Sequence, residues 1–530
     1  MSINSAWFLL FVGIVSVLYF AFPKKIKWIV LLCASYIFYW LNSNKLIIYL
    51  LISTLSIYFM GLALKKIDCK QKELLKKIDN KDEKKRIKNK NKIKKKWIVA
   101  LGVIINFGIL AILKYSSFIA GNLNELFNLL HISIQIPLKK FVLPLGISYY
   151  TLQSVSYIVD VYRGKIEADK NLGRLALYVS FFPGIVEGPI ARYEQTAKQL
   201  YEPHEFDYKN IKFGLQLMLW GFFKKMVVAD RAGIFVNEVF NNYTKYEGIP
   251  IVIAIIFYTL QIYAEFSGCM DIVTGTAQIV GINLPKNFER PFFSKSVQEF
   301  WRRWHITLGT WLKDYIFYPI SFSKATTNIS KFSKKIFKNS YITKLIPAMF
   351  ALLFVWLGNG IWHGASWKYI IYGLYYYVIM MIGMIIEPLS NKILDLLKIK
   401  KNTFGYRLLQ IVRTNIFVGI GMMIFRSQSI KNAWQIFKSI FTVKNIGMIF
   451  NGELYKIGFL TGDFIIILVS IIIMFVISYI QESGHAIRED ISKQNLPFRW
   501  ILYYGIIFSI IIFGIYGQGY NVSDFIYGQF

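Results

Sequence analysis

Runs of apolar residues long enough to cross a membrane recur along this chain, and no other feature constrains its fold as strongly. A helix needs about 20 such residues to traverse the hydrocarbon core. Residues 7–22, 27–41 and 46–64 predict three opening spans. Further apolar runs follow at 97–113, 141–161, 175–190, 211–240, 249–282, 346–361, 369–386, 408–425, 464–479 and 501–515. Hydrophobic side chains make up 55% of the 530 residues and charged ones only 17%, too apolar for a soluble or a disordered chain. The expected architecture is all-α and polytopic, with about 11–13 transmembrane or re-entrant helices. The N-terminus lacks a basic leader and a small-residue cleavage site, so its first apolar run is expected to remain as a span.

Charge sets the orientation. The 62 Lys and Arg exceed the 30 Asp and Glu by 32, which in a soluble chain would suggest nucleic acid. Here the excess concentrates between spans. Residues 65–96 form a lysine ladder that includes Lys84, Lys85, Arg86, Lys88, Lys90, Lys92, Lys94, Lys95 and Lys96. Short Lys/Arg-rich connections stay in the cytoplasm, so we read 65–96 as a cytoplasmic loop, either solvated or facing lipid headgroups, and nucleic acid is not an expected partner. Lys24, Lys25 and Lys27 then also lie inside and the N-terminus outside. Residues 321–344 are expected to form a second basic loop.

Some apolar runs are too polar for simple spans. Residues 141–161 contain Pro144, Gly146, Gln153, Ser154 and Asp160, and residues 181–190 contain Pro183, Gly184, Glu187, Gly188 and Pro189. Broken backbone at membrane depth is tolerated only inside protein or along a cavity, so these segments are expected to wall a central cavity. No internal repeat is evident, which argues against a transporter built on inverted halves. We read residues 1–520 as one membrane domain and 521–530 as a short aromatic tail.

Few residues can carry chemistry. Cys33, Cys69 and Cys269 lack paired spacing and read as packing residues. Of the five histidines, His131, His204 and His485 sit in polar contexts and read as surface residues. His363 ends an apolar run in Asn359-Gly360-Ile361-Trp362-His363-Gly364, where an ionisable group is a functional candidate by default. His305 lies in Arg302-Arg303-Trp304-His305, ahead of Lys313 and Asp314. A histidine at a small cavity can take a proton from a hydroxyl and return it to a leaving group, and a second histidine or an asparagine can stabilise the oxyanion. That chemistry fits acyl transfer to an alcohol. No phosphate loop, dinucleotide fingerprint, serine elbow or zinc spacing is present, and no metal is expected.

Six separated segments carry a resemblance: Pro144-Leu145-Gly146-Ile147-Ser148-Tyr149-Tyr150-Thr151-Leu152-Gln153-Ser154, Phe181-Phe182-Pro183 with Gly188-Pro189-Ile190, Tyr263-Ala264-Glu265-Phe266-Ser267-Gly268, Asn287-Phe288-Glu289-Arg290-Pro291-Phe292, and the two histidine segments. Together they resemble the membrane-bound O-acyltransferase family, in particular the bacterial branch of alginate and peptidoglycan O-acetyltransferases, related to the D-alanyl lipoteichoic acid transferase. The resemblance implies helices around a central tunnel, with His363 as the catalytic histidine and His305 as its active-site partner. His363 would be the base toward the acceptor hydroxyl, and His305 would position the thioester carbonyl or assist proton transfer. Asn359, Trp362, Arg303, Lys313, Asp314 and Gln153 are the candidate tunnel and substrate groups.

The resemblance also implies acetyl-CoA as cytoplasmic acyl donor, no bound cofactor, a polysaccharide acceptor, and an extracytoplasmic partner like an SGNH hydrolase, in the cell membrane. The tail Asp524-Phe525-Ile526-Tyr527-Gly528-Gln529-Phe530 resembles the branch's aromatic terminus, which makes Tyr527 a candidate acyl relay outside the membrane. Gly528 stands where an aromatic is usual. The rival reading is D-alanyl transfer to teichoic acid from a phosphopantetheine on an acidic carrier protein, which a basic cytoplasmic face would suit. A proton-coupled transporter or flippase using His363 as relay is a remoter alternative, and a scaffold for an envelope assembly a third.

Overall fold

Segments that must satisfy every backbone N–H and C=O without water fold as helices. The computed structural model describes residues 1–458 and 460–516. Among these the chain is all-α, and the one strand-like pairing is an isolated bridge between Phe288 and Trp304. Eight segments among the described residues are long and apolar enough to cross a membrane: Lys24–Lys76, Lys81–Leu129, Ile249–Ile279, Ser340–His363, Trp367–Leu396, Phe404–Arg426, Thr461–Glu482 and Leu496–Phe513. This is a multi-pass membrane protein. The expected first span is the apolar helix Ala6–Ala21, whose 16 residues fall short of the roughly 20 needed for an upright crossing.

The lysine ladder is ordered. Residues 65–96 form the facing ends of two helices, Ile47–Lys76 and Lys81–Leu110, and the short turn between them. Lysine is a good helix former, and Asn80 caps the second helix by accepting from Asp82 N at 2.9 Å. Asp82 and Glu83 in its first turn complement the helix dipole. Half-buried residues recur at helical spacing on both arms, Ile67, Gln71 and Leu75 on one and Lys84, Ile87, Asn91, Lys95 and Ile98 on the other. Lys95 meets Asp68 across the seam at 2.7 Å. Residues 321–344 are likewise mostly helical: Ser323 caps Lys324–Ile336, and Asn339 caps Ser340–His363.

Among the described residues packing forms two compact units, Met1–Leu215 with Val273–Pro285, and Gln216–Ile272 with the described residues that follow Pro285. In the first unit the helix Ile147–Arg163 starts at Gly146, whose φ is +66°. A Cβ there would lie 1.8 Å from Ile185 O, so only glycine fits this turn. Gln153, Ser154, Asp160 and Glu187 are all buried, so the polar segments point into protein. Gln153, Tyr178, Phe181, Gly184, Pro189 and Thr196 line a small cavity in this unit.

The second unit is built on aromatic packing. Trp301 meets Trp356 and Tyr376 edge-on at 5.2 and 4.8 Å, and Tyr376 meets Tyr372 at 5.1 Å. The helices Ser340–His363 and Trp367–Leu396 touch backbone to backbone: a Cβ on Gly373 would stand 2.3 Å from Trp356 O, and one on Gly360 2.4 Å from Tyr369 O. That contact fixes the end of the first helix, which is His363.

Candidate active site

His305 owes its position to a short double-sided clamp. Ser296 caps the helix Val297–Arg303, accepting from Glu299 N at 3.2 Å. The segment 287–289 then pairs with the chain on both sides of His305: Glu289 N donates to Arg303 O at 2.9 Å, Phe288 bridges Trp304, and Ile306 N donates to Asn287 O at 3.0 Å. So held, His305 adopts φ +47° and ψ +50° as the cap of the helix Ile306–Leu312. A non-glycine residue in this left-handed region costs about 1–2 kcal/mol, a strain that clusters at functional sites when the surroundings impose it.

Both imidazoles are 3% exposed. The His305 ring meets Phe266 edge-on at 4.8 Å and Trp362 at 5.5 Å. Trp362 in turn lies 5.0 Å from the His363 ring, which Phe425 and Tyr372 border at 5.3 and 5.7 Å. One indole therefore neighbours both histidines inside an aromatic wall. Asn359 sits one turn before His363 on the same helix face and is buried, with no hydrogen-bond partner at Oδ1 among the described residues. His305 lies outside the apolar spans, and burial pushes its pKa well below the ordinary imidazole value, so the ring is neutral at neutral pH. A neutral imidazole in a water-poor pocket can accept a proton from a hydroxyl.

Of the residues expected from sequence, the structure thus brings His305, Trp362, Asn359 and His363 together. Arg303 points elsewhere, into an ion cluster with Glu299 at 2.8 Å and Glu482 at 3.0 Å, where it braces the clamp. Lys313 is exposed, and Asp314 is half-buried beside it on the π-helical turn Lys313–Phe317. Gln153 belongs to the first unit, and Tyr527 lies outside the described residues. His131 and His485 are exposed as expected. His204 is not a free surface residue: it is half-buried, its Nε2 2.8 Å from Gln199 O. Of the cysteines only Cys269 is buried; Cys33 and Cys69 are exposed. Phe266 and Asn287 lie in two of the six resemblance segments but received no role from the sequence, and Tyr372 and Phe425, which border His363, were not singled out.

A multi-pass helical chain with two buried imidazoles in an aromatic pocket holds the groups that acyl transfer to a hydroxyl needs. A profile of the membrane-bound O-acyltransferase family matches residues 166–334, a stretch that contains Asn287 and His305 and ends before His363. The chain is 28% identical over 444 residues to the probable alginate O-acetylase of Pseudomonas aeruginosa, covering 83% of this chain and 74% of that protein. It is 28% identical over 385 residues to the peptidoglycan O-acetyltransferase of Helicobacter pylori, covering 66% of each. With the teichoic acid D-alanyltransferase of Bacillus subtilis it shares 31% identity over 283 residues, 53% of this chain and 68% of that one. The chain belongs to the membrane-bound O-acyltransferase family and is an O-acyltransferase.

Proposed function

We propose that this enzyme moves an acetyl group from a cytoplasmic thioester, acetyl-CoA, to hydroxyl groups of a cell-surface polysaccharide. The observation that carries the reading is the pair of buried imidazoles, His305 and His363, with one indole neighbouring both. His363 is the base toward the acceptor hydroxyl, and Asn359 Oδ1 is a hydrogen-bond acceptor one turn away. As oxygen attacks the thioester carbonyl the oxygen–acyl bond forms, the carbon–sulfur bond breaks, and the hydroxyl proton ends on the departing thiol. The acetyl cargo is supported by alignments to acetylating relatives that cover 83% and 66% of this chain, against 53% for the alanyl relative.

The reading places the protein in the cell membrane with its N-terminus and tail outside, Tyr527 carrying the acyl group to an extracytoplasmic SGNH-hydrolase-like partner. The lysine-rich hairpin faces anionic lipid headgroups in the cytoplasmic leaflet. The rival donor is a D-alanyl carrier protein. Membranes bearing the protein or its His363→Ala variant distinguish the two when given acetyl-CoA or a D-alanyl phosphopantetheine thioester. Wild-type-dependent thiol release from acetyl-CoA is the expected result, release from the alanyl thioester alone transfers the assignment to teichoic acid, and release from neither rejects thioester chemistry.

A further inference from the structure

Asn287 precedes His305 by 18 residues, and its Oδ1 lies 3.2 Å from His305 Nδ1. The identity of that atom follows from its other partners. Thr307 donates to it through its backbone N–H at 3.1 Å and its hydroxyl at 2.9 Å. A backbone N–H can only donate, so the atom it faces is the amide oxygen. The amide nitrogen points the other way, 3.3 Å from Met270 Sδ. An oxygen lone pair opposite Nδ1 requires the proton on Nδ1, which leaves Nε2 of the neutral ring with a bare lone pair. Nε2 is buried and finds no hydrogen-bond partner among the described residues. The ring is bordered by Phe266 and Trp362, and burial is what lowers its proton affinity.

We propose that Asn287 is a positioning residue of the transferase: it locks His305 as the Nδ1–H tautomer, so that His305 works through Nε2 as a proton acceptor and not as a donor to the thioester carbonyl. The inference rests on the acyl-transfer reading above and decides between the two parts open to His305. In the reaction the hydroxyl gives up its proton as the oxygen–acyl bond forms, and the thiolate gains one after the carbon–sulfur bond breaks. With His363 as the base toward that hydroxyl, a bare His305 Nε2 can only receive the proton in its turn, and it donates only afterwards, when the imidazolium returns the proton to sulfur. The Asn287 carbonyl dipole then faces a charged ring, which it favours.

Two variants and one wild-type measurement test this. Asn287→Asp keeps an oxygen for Nδ1–H and Thr307 but adds negative charge beside the ring, which raises its proton affinity. The acid limb of its kcat/KM–pH profile should move to higher pH, with activity above that limb within about tenfold of wild type. Asn287→Leu removes the acceptor and should lower kcat/KM by about a hundredfold. A merely structural asparagine predicts an unshifted acid limb in the aspartate variant, and that result overturns the proposal. If either variant fails to fold, ¹⁵N spectra of histidine-labelled wild type and His305→Gln protein give the tautomer directly. The resonance lost with His305 should be a neutral ring protonated at Nδ1; protonation at Nε2 contradicts the assignment. A wild type inactive toward both thioesters would sink the acyl-transfer reading itself and leave the tautomer result standing on its own.

Discussion

Alanine at His363 lowers the rate of acyl transfer by about 10³-fold, alanine at His305 by a similar factor, and the double replacement by little more than either single one. A positioned general base contributes roughly 10²–10⁴-fold, and 10³ corresponds to about 4 kcal/mol of barrier. The non-additivity follows from the geometry: the rings neighbour the same indole, at 5.5 and 5.0 Å, and groups that serve one transition state lose it together. Independent roles predict that the two factors multiply. Transfer rates in membranes matched for protein level, with thermal stability followed in detergent, separate these outcomes from unfolding.

The second large effect concerns backbone contact. Valine at Gly373 would place a Cβ 2.3 Å from Trp356 O, so the helices Ser340–His363 and Trp367–Leu396 must part. Overpacking of this kind costs about 1–3 kcal/mol. We expect Gly373→Val to lower the melting temperature in detergent by several degrees and to lower transfer by more than the lost protein accounts for, because Trp356 lies on the helix that ends in His363. A Cβ on Gly383, which shares a helix with Gly373, would meet nothing within 4 Å. Gly383→Ala should therefore leave activity unchanged and stabilise by up to about 1 kcal/mol. Equal effects at the two glycines would show that helix propensity and not contact sets the result.

The spans are legible in the sequence because hydrocarbon leaves backbone only one economical solution, and because the polar breaks at Gly146 and Pro183 mark where a span stops being simple. The lysine ladder hides its helices for a physical reason. Its charge density outweighs its weaker periodic signal, although Ile67, Leu75 and Ile87 recur at helical spacing, and Asn80 with Asp82 and Glu83 announces a helix start. At the site, His363 stands out as an ionisable group between glycines, and His305 through its Arg-Trp-His setting. Arg303 is legible as a charge but not as the brace of an ion cluster, since Glu482 lies 179 residues away. Asn287 cannot be assigned from spacing, because the left-handed turn that brings Nδ1 to its carbonyl exists only once 287–289 pairs with 303–306.

The central claim is that this protein esterifies a cell-surface polymer through its histidine pair. Mild base applied to fractionated envelopes releases ester-linked acetate and D-alanine, which can be measured in cells carrying wild-type protein or His363→Ala at equal membrane levels. The account predicts that acetate disappears from one polysaccharide fraction in the variant while D-alanine is unchanged. If neither ester changes in any fraction, His363 is not the catalytic base and the acyl-transfer account of this site is wrong.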